Sequence, residues 1–274
     1  MTTTVASQGD VPDAAAVAGS PGKEIVREIA RGGLAGAIVG VIVIGLGGRL
    51  VMRLATIAQE QAVGGTTDNG NRIGDITASG TLGLVTVGMF VGAMAGTVWV
   101  IATPWLPGGG VRRAVVAIPL AIAVGTSGLI EGNTGDFIQL RHDPVIVAML
   151  VTLVGLVGLA LSVIDDRLEH RLPHPRIDRR SVTWFYSIIV GIGAVLVFPI
   201  VLASYFGSSR AGVASIGMAL VLVGLATLAW WIQRLDGRTR PPIVLVSVGR
   251  ASLVIAAIMG VAAAIPGING ALGR

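Results

Sequence analysis

Residues 145–164 read VIVAMLVTLVGLVGLALSVI and contain no charged side chain. A helix needs about 20 apolar residues to cross the hydrocarbon core of a bilayer. Six other runs in the chain have a similar length and character. The sequence therefore predicts an all-α integral membrane protein, a bundle of seven transmembrane helices. The predicted spans are residues 33–53, 81–103, 114–131, 145–164, 184–206, 212–232 and 243–265.

The composition of the whole chain favours the same class. Only 13% of its 274 residues are charged, and the mean hydropathy is +0.81, whereas a soluble domain is about one quarter charged. No connection is long enough to fold by itself, so residues 32–274 are predicted to form one transmembrane domain. Residues 1–22 are predicted to be a disordered tail. Residues 23–31 are predicted to be a short amphipathic lead-in helix at the membrane surface.

The basic residues fall mainly on alternate connections between the spans. With a cytoplasmic N-terminus, thirteen of them lie on the inner side and six on the outer side. The inner set is Lys23, Arg27, Arg31, Arg112, Arg113, Arg167, Arg171, Arg176, Arg179, Arg180, Arg234, Arg238 and Arg240. The outer set is Arg49, Arg53, Arg72, Arg141, Arg210 and Arg274. The positive-inside rule therefore predicts a cytoplasmic N-terminus and an outer C-terminus, in the plasma or inner membrane.

This placement also explains the net charge of +5. Basic residues that border apolar spans are typical topology anchors at an anionic leaflet. The predicted partner is therefore the lipid bilayer, and a nucleic-acid partner is not predicted.

Small residues recur at every fourth position in several spans. These series are Gly32, Gly36 and Gly40; Gly88, Gly92 and Gly96; Ala117, Ala121 and Gly125; and Ser252, Ala256, Gly260 and Ala264. Because no hydrophobic force drives helices together in lipid, close backbone approach must supply the contact. The series predict tight packing inside the bundle. A small-residue face that remains on the outside of the bundle would contact a membrane protein partner or a second copy of the chain.

Two ionisable residues are predicted to lie at the same depth near the outer surface. Arg49 follows Arg31 by eighteen residues, and Glu131 follows Arg113 by eighteen residues. Both helices run outward, so both side chains reach about 27 Å along the helix axis. Intramembrane charges usually face the bundle interior and pair with one another. The hypothesis is an Arg49–Glu131 ion pair; the alternative is that both side chains extend to the outer headgroups.

The first two predicted outer loops have similar sequences, each with Gly-Asn followed by Gly-Asp. Such residues are typical of tight turns. The other interpretation is a polar pocket on the outer face. The candidate cluster for that pocket is Arg49, Arg53, Asp68, Arg72, Asp75, Glu131 and Asp136. No EF-hand spacing is present, and no metal or other cofactor is predicted.

Arg250 is a second unusual charge, because it lies eight residues past Pro242 and inside the seventh span. Insertion of an arginine near mid-span costs about 2.5–3.5 kcal/mol. By depth, its candidate acidic partners are Asp165 and Asp166 at the inner end of the fourth span. The alternative is that the side chain extends toward the cytoplasmic surface.

The chain offers few groups for catalysis. It has no cysteine, and its three histidines lie in the loops between predicted spans. They are His142, His170 and His174. No intramembrane nucleophile–base pair is found, so an enzyme is not the favoured class. The expected function is a non-catalytic membrane subunit or scaffold packed through small-residue helix faces. The alternative is a small transporter or channel with a polar site formed by the first and second outer loops.

Overall fold

The structure is a computed structural model that describes residues 20–58, 78–131, 144–175, 180–206 and 211–272. Within these ranges it is helical and has no strands. Helix α1 covers residues 21–58 and consists of Pro21–Val39, a π-helical segment Gly40–Gly47, and Gly48–Ala58. The others are α2 (Ala78–Ala102, with a 3₁₀ turn at Thr103–Trp105), α3 (Val111–Glu131), α4 (Pro144–Arg171), α5 (Arg180–Phe206), α6 (Ala211–Leu235) and α7 (Ile243–Ala271).

Six of these helices are long and apolar enough to cross a membrane, namely α1, α2, α4, α5, α6 and α7. The chain is therefore a multi-pass helical membrane protein. Helix α3 packs against α4 and α7 but is not one of the six, so the count of seven spans stays a prediction.

The first helix begins earlier than the predicted span. Pro21 occupies its first turn, where the missing N–H of proline has no intrahelical partner to lose. Residues 23–31, predicted as a short lead-in helix, are continuous with the rest of α1. Within them, Arg27 and Arg31 are bonded to α4 and are only 3% and 7% exposed. The tail through Gly19 lies outside the described residues.

Helices α1 and α2 meet through their glycines in antiparallel register. Gly32 faces Gly96, Gly36 faces Gly92, and Gly40 faces Gly88. A Cβ atom added to Gly36 would lie 2.7 Å from the Cα of Gly96 and also against the carbonyl oxygen of Gly92. Only glycine permits this separation, because the obstructing atoms belong to the backbone.

Small residues also join α3 to its neighbours. A Cβ on Gly158 of α4 would lie 2.7 Å from the Cβ of Ala121 in α3. A Cβ on Gly260 of α7 would lie 2.6 Å from the carbonyl carbon of Ala123, also in α3. These small-residue faces are therefore occupied within the chain.

Helix α5 is the least buried of the six apolar helices. Its second part follows a π-helical segment, Gly193–Val197, that ends just before Pro199. Proline cannot donate the usual bond to the carbonyl four residues earlier, which explains a local change of helical register. Near the start of α5, Tyr186 is buried and its hydroxyl donates to the carbonyl oxygen of Pro173 at 2.9 Å.

Candidate functional site

Most of the charged contacts in the described residues gather at one end of the bundle. There the first turns of α1 and α3 meet the last turns of α4 and α6. We call this region the basic end, and it comprises Arg27, Arg31, Arg113 and Arg234 with their partners Glu28, Asp165, Asp166 and Glu169.

Arg31 and Asp165 form the most buried ion pair of the basic end. Arg31 Nε donates to Asp165 Oδ1 at 2.7 Å, and Nη2 donates to Oδ2 at 3.3 Å. Arg31 is 7% exposed and Asp165 is 1% exposed. Two parallel bonds between a guanidinium and a carboxylate fix the relative orientation of the two groups. The pair therefore determines how α1 and α4 meet.

Further charges surround this pair. Arg31 Nη1 lies 3.2 Å from Glu169 Oε2, one helical turn after Asp165 on α4. From α3, Arg113 Nη1 lies 3.3 Å from Asp166 Oδ1 and 3.9 Å from Asp165 Oδ2. Residues four apart lie on the same face of a helix, so α4 presents its acidic side to arginines of two other helices.

Arg27 binds the end of α4 in a different way. Its Nη2 donates to the carbonyl oxygens of Glu169 at 2.8 Å and Leu172 at 3.0 Å. The last carbonyls of a helix have no intrahelical donor and carry partial negative charge. A cation from α1 therefore caps α4 and satisfies two of its terminal acceptors.

Arg234 connects α6 to α1. Its Nη1 lies 2.9 Å from Glu28 Oε1 and 2.7 Å from Glu28 Oε2. Above it, Trp105 Nε1 donates to Thr227 Oγ1 at 2.8 Å, which joins the end of α2 to α6. The polar groups of this end thus connect five helices to one another.

A half-open cavity of about 300 Å³ lies among these groups. Three arginines and three tryptophans contribute to its wall, together with the carboxylates of Glu28, Asp165 and Glu169. The arginines are Arg31, Arg113 and Arg234, and the tryptophans are Trp99, Trp230 and Trp231. The cavity therefore combines aromatic surface with a high density of N–H donors.

Several of those donors are buried and lack an acceptor among the described residues. They include Trp231 Nε1 and Arg113 Nε. Trp99 is 5% exposed, and its Nε1 has no acceptor in hydrogen-bonding geometry, although Asp165 is a neighbour. Buried donors are nearly always bonded to protein or water, so these N–H groups are exceptions among the described residues.

Arg250 does not approach the acidic residues that its depth suggested. It is exposed, and its Nε donates to the carbonyl oxygen of Trp105 at 3.3 Å. Asp165 and Asp166 are instead engaged by Arg31 and Arg113. Depth along a helix gives height in the membrane but not the direction that a residue faces, which is why the expected pairing differs from the observed one.

The predicted outer cluster is described only in part. Arg49 is half-buried and Arg53 is exposed, both in α1. Glu131 is the last residue of α3, but its side chain is not described. Asp68, Arg72, Asp75 and Asp136 lie outside the described residues. The Arg49–Glu131 pair and the outer pocket therefore stay predictions.

The sequence pattern contained an indication of the basic end that was interpreted only as topology. Glu24 and Glu28 lie four residues apart in a basic segment, and Asp165 and Glu169 have the same spacing. Such spacing places two acids on one helix face and so indicates a surface for cations from neighbouring helices.

No family model matches the chain, and neither a curated protein nor a solved structure is similar to it. Among the described residues, no group of three or more His, Asp or Glu side chains is arranged to hold a metal ion.

Proposed function

We propose that the protein is a non-catalytic subunit or scaffold of a membrane assembly. The observation that carries this proposal is the use of its buried ionic groups. Arg31, Asp165 and Arg27 each bond to another helix of the same chain. Such bonds orient the helices relative to one another. Ionic groups that join helices in this way are not free to line a path for a solute.

The packing of the helices supports the same function. The glycine contacts between α1 and α2 and the small-residue contacts of α3 bring backbones together. Close backbone contact favours a rigid bundle, since packed interiors have discrete arrangements and resist continuous deformation. A rigid membrane platform is suited to holding a partner in place.

The proposed topology places the basic end in the cytoplasm of a cell with this chain in its plasma or inner membrane. Seven spans, with α3 included, then give a cytoplasmic N-terminus and an outer C-terminus. The arginine density at the basic end supports this orientation.

The absence of cysteine from the chain permits a direct test of this topology. A single cysteine at Asp236, an exposed position between α6 and α7, is expected to react with a membrane-impermeant maleimide only after the cells are opened. A cysteine at Ser208, in the connection between the fifth and sixth predicted spans, is expected to react in intact cells. Labelling of both positions from the same side would contradict the alternation of spans.

The proposed function is tested by the native mass of the complex extracted in a mild detergent. We expect the 27.9 kDa chain to be accompanied by a second membrane polypeptide in fixed ratio, which an unrelated tagged multi-pass protein does not retain. A mass equal to one chain or a multiple of it, together with solute flux through proteoliposomes, would contradict the subunit proposal.

The alternative function is a small transporter or channel. The observation that favours it is the π-helical segment Gly40–Gly47 within α1. Short π-helical segments often occur at functional sites, where they interrupt the regular backbone bonding of a helix. On this alternative, the predicted outer cluster would form the entrance, and solute flux in proteoliposomes would be the positive result.

A further inference from the structure

We infer that the exposed guanidinium groups of Arg250 and Arg112 form a binding site for the phosphate of a glycerophospholipid. The site lies on the lateral surface of the bundle, where α7 passes the end of α2 and the start of α3. It is separate from the cavity at the basic end, whose arginines and carboxylates pair with one another. The inference depends on the chain being a membrane protein and not on the proposed subunit function.

The hydrogen bond of Arg250 places its guanidinium where α2 leaves the membrane. Arg250 Nε donates to the carbonyl oxygen of Trp105 at 3.3 Å, and Trp105 ends the membrane-crossing segment Ala78–Trp105. The 28 residues of that segment span about 42 Å, more than the roughly 30 Å of a hydrocarbon core. The end of α2 therefore lies near the headgroups. At this depth the matching anion is a lipid phosphate rather than a carboxylate of a partner helix at mid-membrane.

The orientation of Arg250 is fixed by its surroundings. The adjacent Gly249 lies directly against the indole ring of Trp105. That ring is buried and its Nε1 donates to Thr227 Oγ1 at 2.8 Å, so the carbonyl that Arg250 binds belongs to a firmly held residue. The bond uses Nε and leaves the Nη N–H groups of the exposed side chain for a ligand. Such N–H groups form a planar fork that matches a phosphate.

Arg112 lies at about the same height on the neighbouring helix. Gly260 of α7 meets Ala123 of α3, and the two arginines precede these residues by ten and eleven positions. Both helices begin at the basic end and run in the same direction, so Arg250 and Arg112 are level to within about 2 Å along the helix axes. Eleven residues are close to three full turns, which puts Arg112 on the face of α3 that meets α7.

The two arginines have no carboxylate that compensates their charge. Neither forms an ion pair with a described residue. Helices α6 and α7 contain no acidic residue, and the one acid of α3 is Glu131 at its far end. Asp236 follows α6 in an exposed turn and forms no ion pair within the described part of the chain. This surface is therefore positive, in contrast to the cavity of the basic end.

The surface beside the arginines suits the acyl chains of a lipid. One turn further into the membrane, Val115 of α3 is 61% exposed and Val254 of α7 is 58% exposed. Guanidinium groups thus lie next to apolar side chains in the order in which a phospholipid carries its phosphate and its chains. Basic sites between helices at a membrane surface bind lipid headgroups in this way. A free phosphate ion would use the guanidinium groups alone, so the lipid is the ligand that matches the whole surface.

Native mass spectrometry of the full chain, freed of bound lipid and held in an uncharged detergent, tests the inference. The titrants are dioleoyl phosphatidylglycerol, dioleoylglycerol (which lacks the phosphate) and inorganic phosphate. We expect the first phosphatidylglycerol to bind about tenfold or more tightly than dioleoylglycerol, as a hydrogen bond to a charged group provides. Inorganic phosphate is expected to bind more weakly than phosphatidylglycerol. Equal affinity for the two lipids, or for phosphatidylglycerol and inorganic phosphate, overturns the inference.

Two variants locate the site. Arg250→Gln and Arg112→Gln each remove one exposed guanidinium, and each is expected to weaken phosphatidylglycerol binding about tenfold. The matched control is Arg240→Gln, which removes the same charge from an exposed position in the connection between α6 and α7 and is expected to bind like the parent chain. An unchanged far-ultraviolet circular dichroism spectrum shows that each variant is folded. The inference is overturned if the control weakens binding as much as Arg250→Gln. It is also overturned if both site variants bind like the parent chain, as they would if Arg250 paired with a carboxylate of a partner helix.

Discussion

Replacing Asp165 with alanine is expected to lower the free energy of unfolding by about 3 kcal/mol, the lower part of the range for removing one partner of a buried ion pair, because Arg31 keeps only the partly exposed Glu169. Asp165 is 1% exposed, and it accepts two bonds from Arg31 and lies 3.9 Å from Arg113. The loss of one member of such a group strands the positive charge of the others in a medium that solvates it poorly. Unfolding by sodium dodecyl sulfate in mixed micelles measures the change.

The matched control for this substitution is the adjacent residue. Asp166→Ala also deletes a carboxylate, but the Asp166 side chain is 30% exposed. At the basic end its one ion pair is with Arg113, at 3.3 Å. A partly exposed pair contributes about 1 kcal/mol or less. Equal losses from the two alanine variants would show that Asp165 is not the buried link between the helices.

Replacing Gly36 with alanine is expected to destabilise the bundle by about 3 kcal/mol, the upper part of the range for overpacking a close-packed interior. The added methyl group would lie 2.7 Å from the Cα of Gly96 and 2.9 Å from its backbone nitrogen. Because backbone atoms cannot rotate away, α1 and α2 must separate along their whole contact. The same unfolding titration reports the loss.

Gly33 provides the control on the same helix. A Cβ added there meets no atom within 4 Å, so Gly33→Ala introduces no clash. Alanine is also favoured over glycine in a helix by about 1 kcal/mol, and the variant is expected to be as stable as the parent or slightly more stable. If Gly36→Ala and Gly33→Ala behave alike, the glycine contact between α1 and α2 is not as close as described.

The periodicity of the sequence predicts much of this packing, but not which helices pair. Glycine at every fourth position indicated one small face on α1 and one on α2. That these two faces meet, Gly36 opposite Gly92, depends on how the helices are arranged around one another. Helix α4 extends past the predicted span 145–164 to Arg171, and its last charged residues find partners at the basic end.

The candidate site was less accessible to prediction from the sequence. Arg31 and Arg113 were interpreted as topology anchors, since a charge next to an apolar run is most often in contact with water or headgroups. Their role as partners of Asp165 requires knowledge of which face each helix turns inward. Arg250 was expected to pair with Asp165 or Asp166 from its depth in the membrane alone. Its bond to the carbonyl of Trp105 shows that the depth of a residue does not determine which neighbouring helix its side chain faces.

The claim that the buried charges serve to join helices is tested most directly by a double-mutant cycle on Arg31 and Asp165. The free energy of unfolding is measured for Arg31→Met, Asp165→Ala, the double variant and the parent chain. Because the side chains contact each other directly, we predict a coupling energy of about 2 kcal/mol: the double variant loses less stability, by this amount, than the sum of the two single losses. Additivity within about 0.5 kcal/mol would contradict the account, since it would mean that the two charges contribute independently of each other.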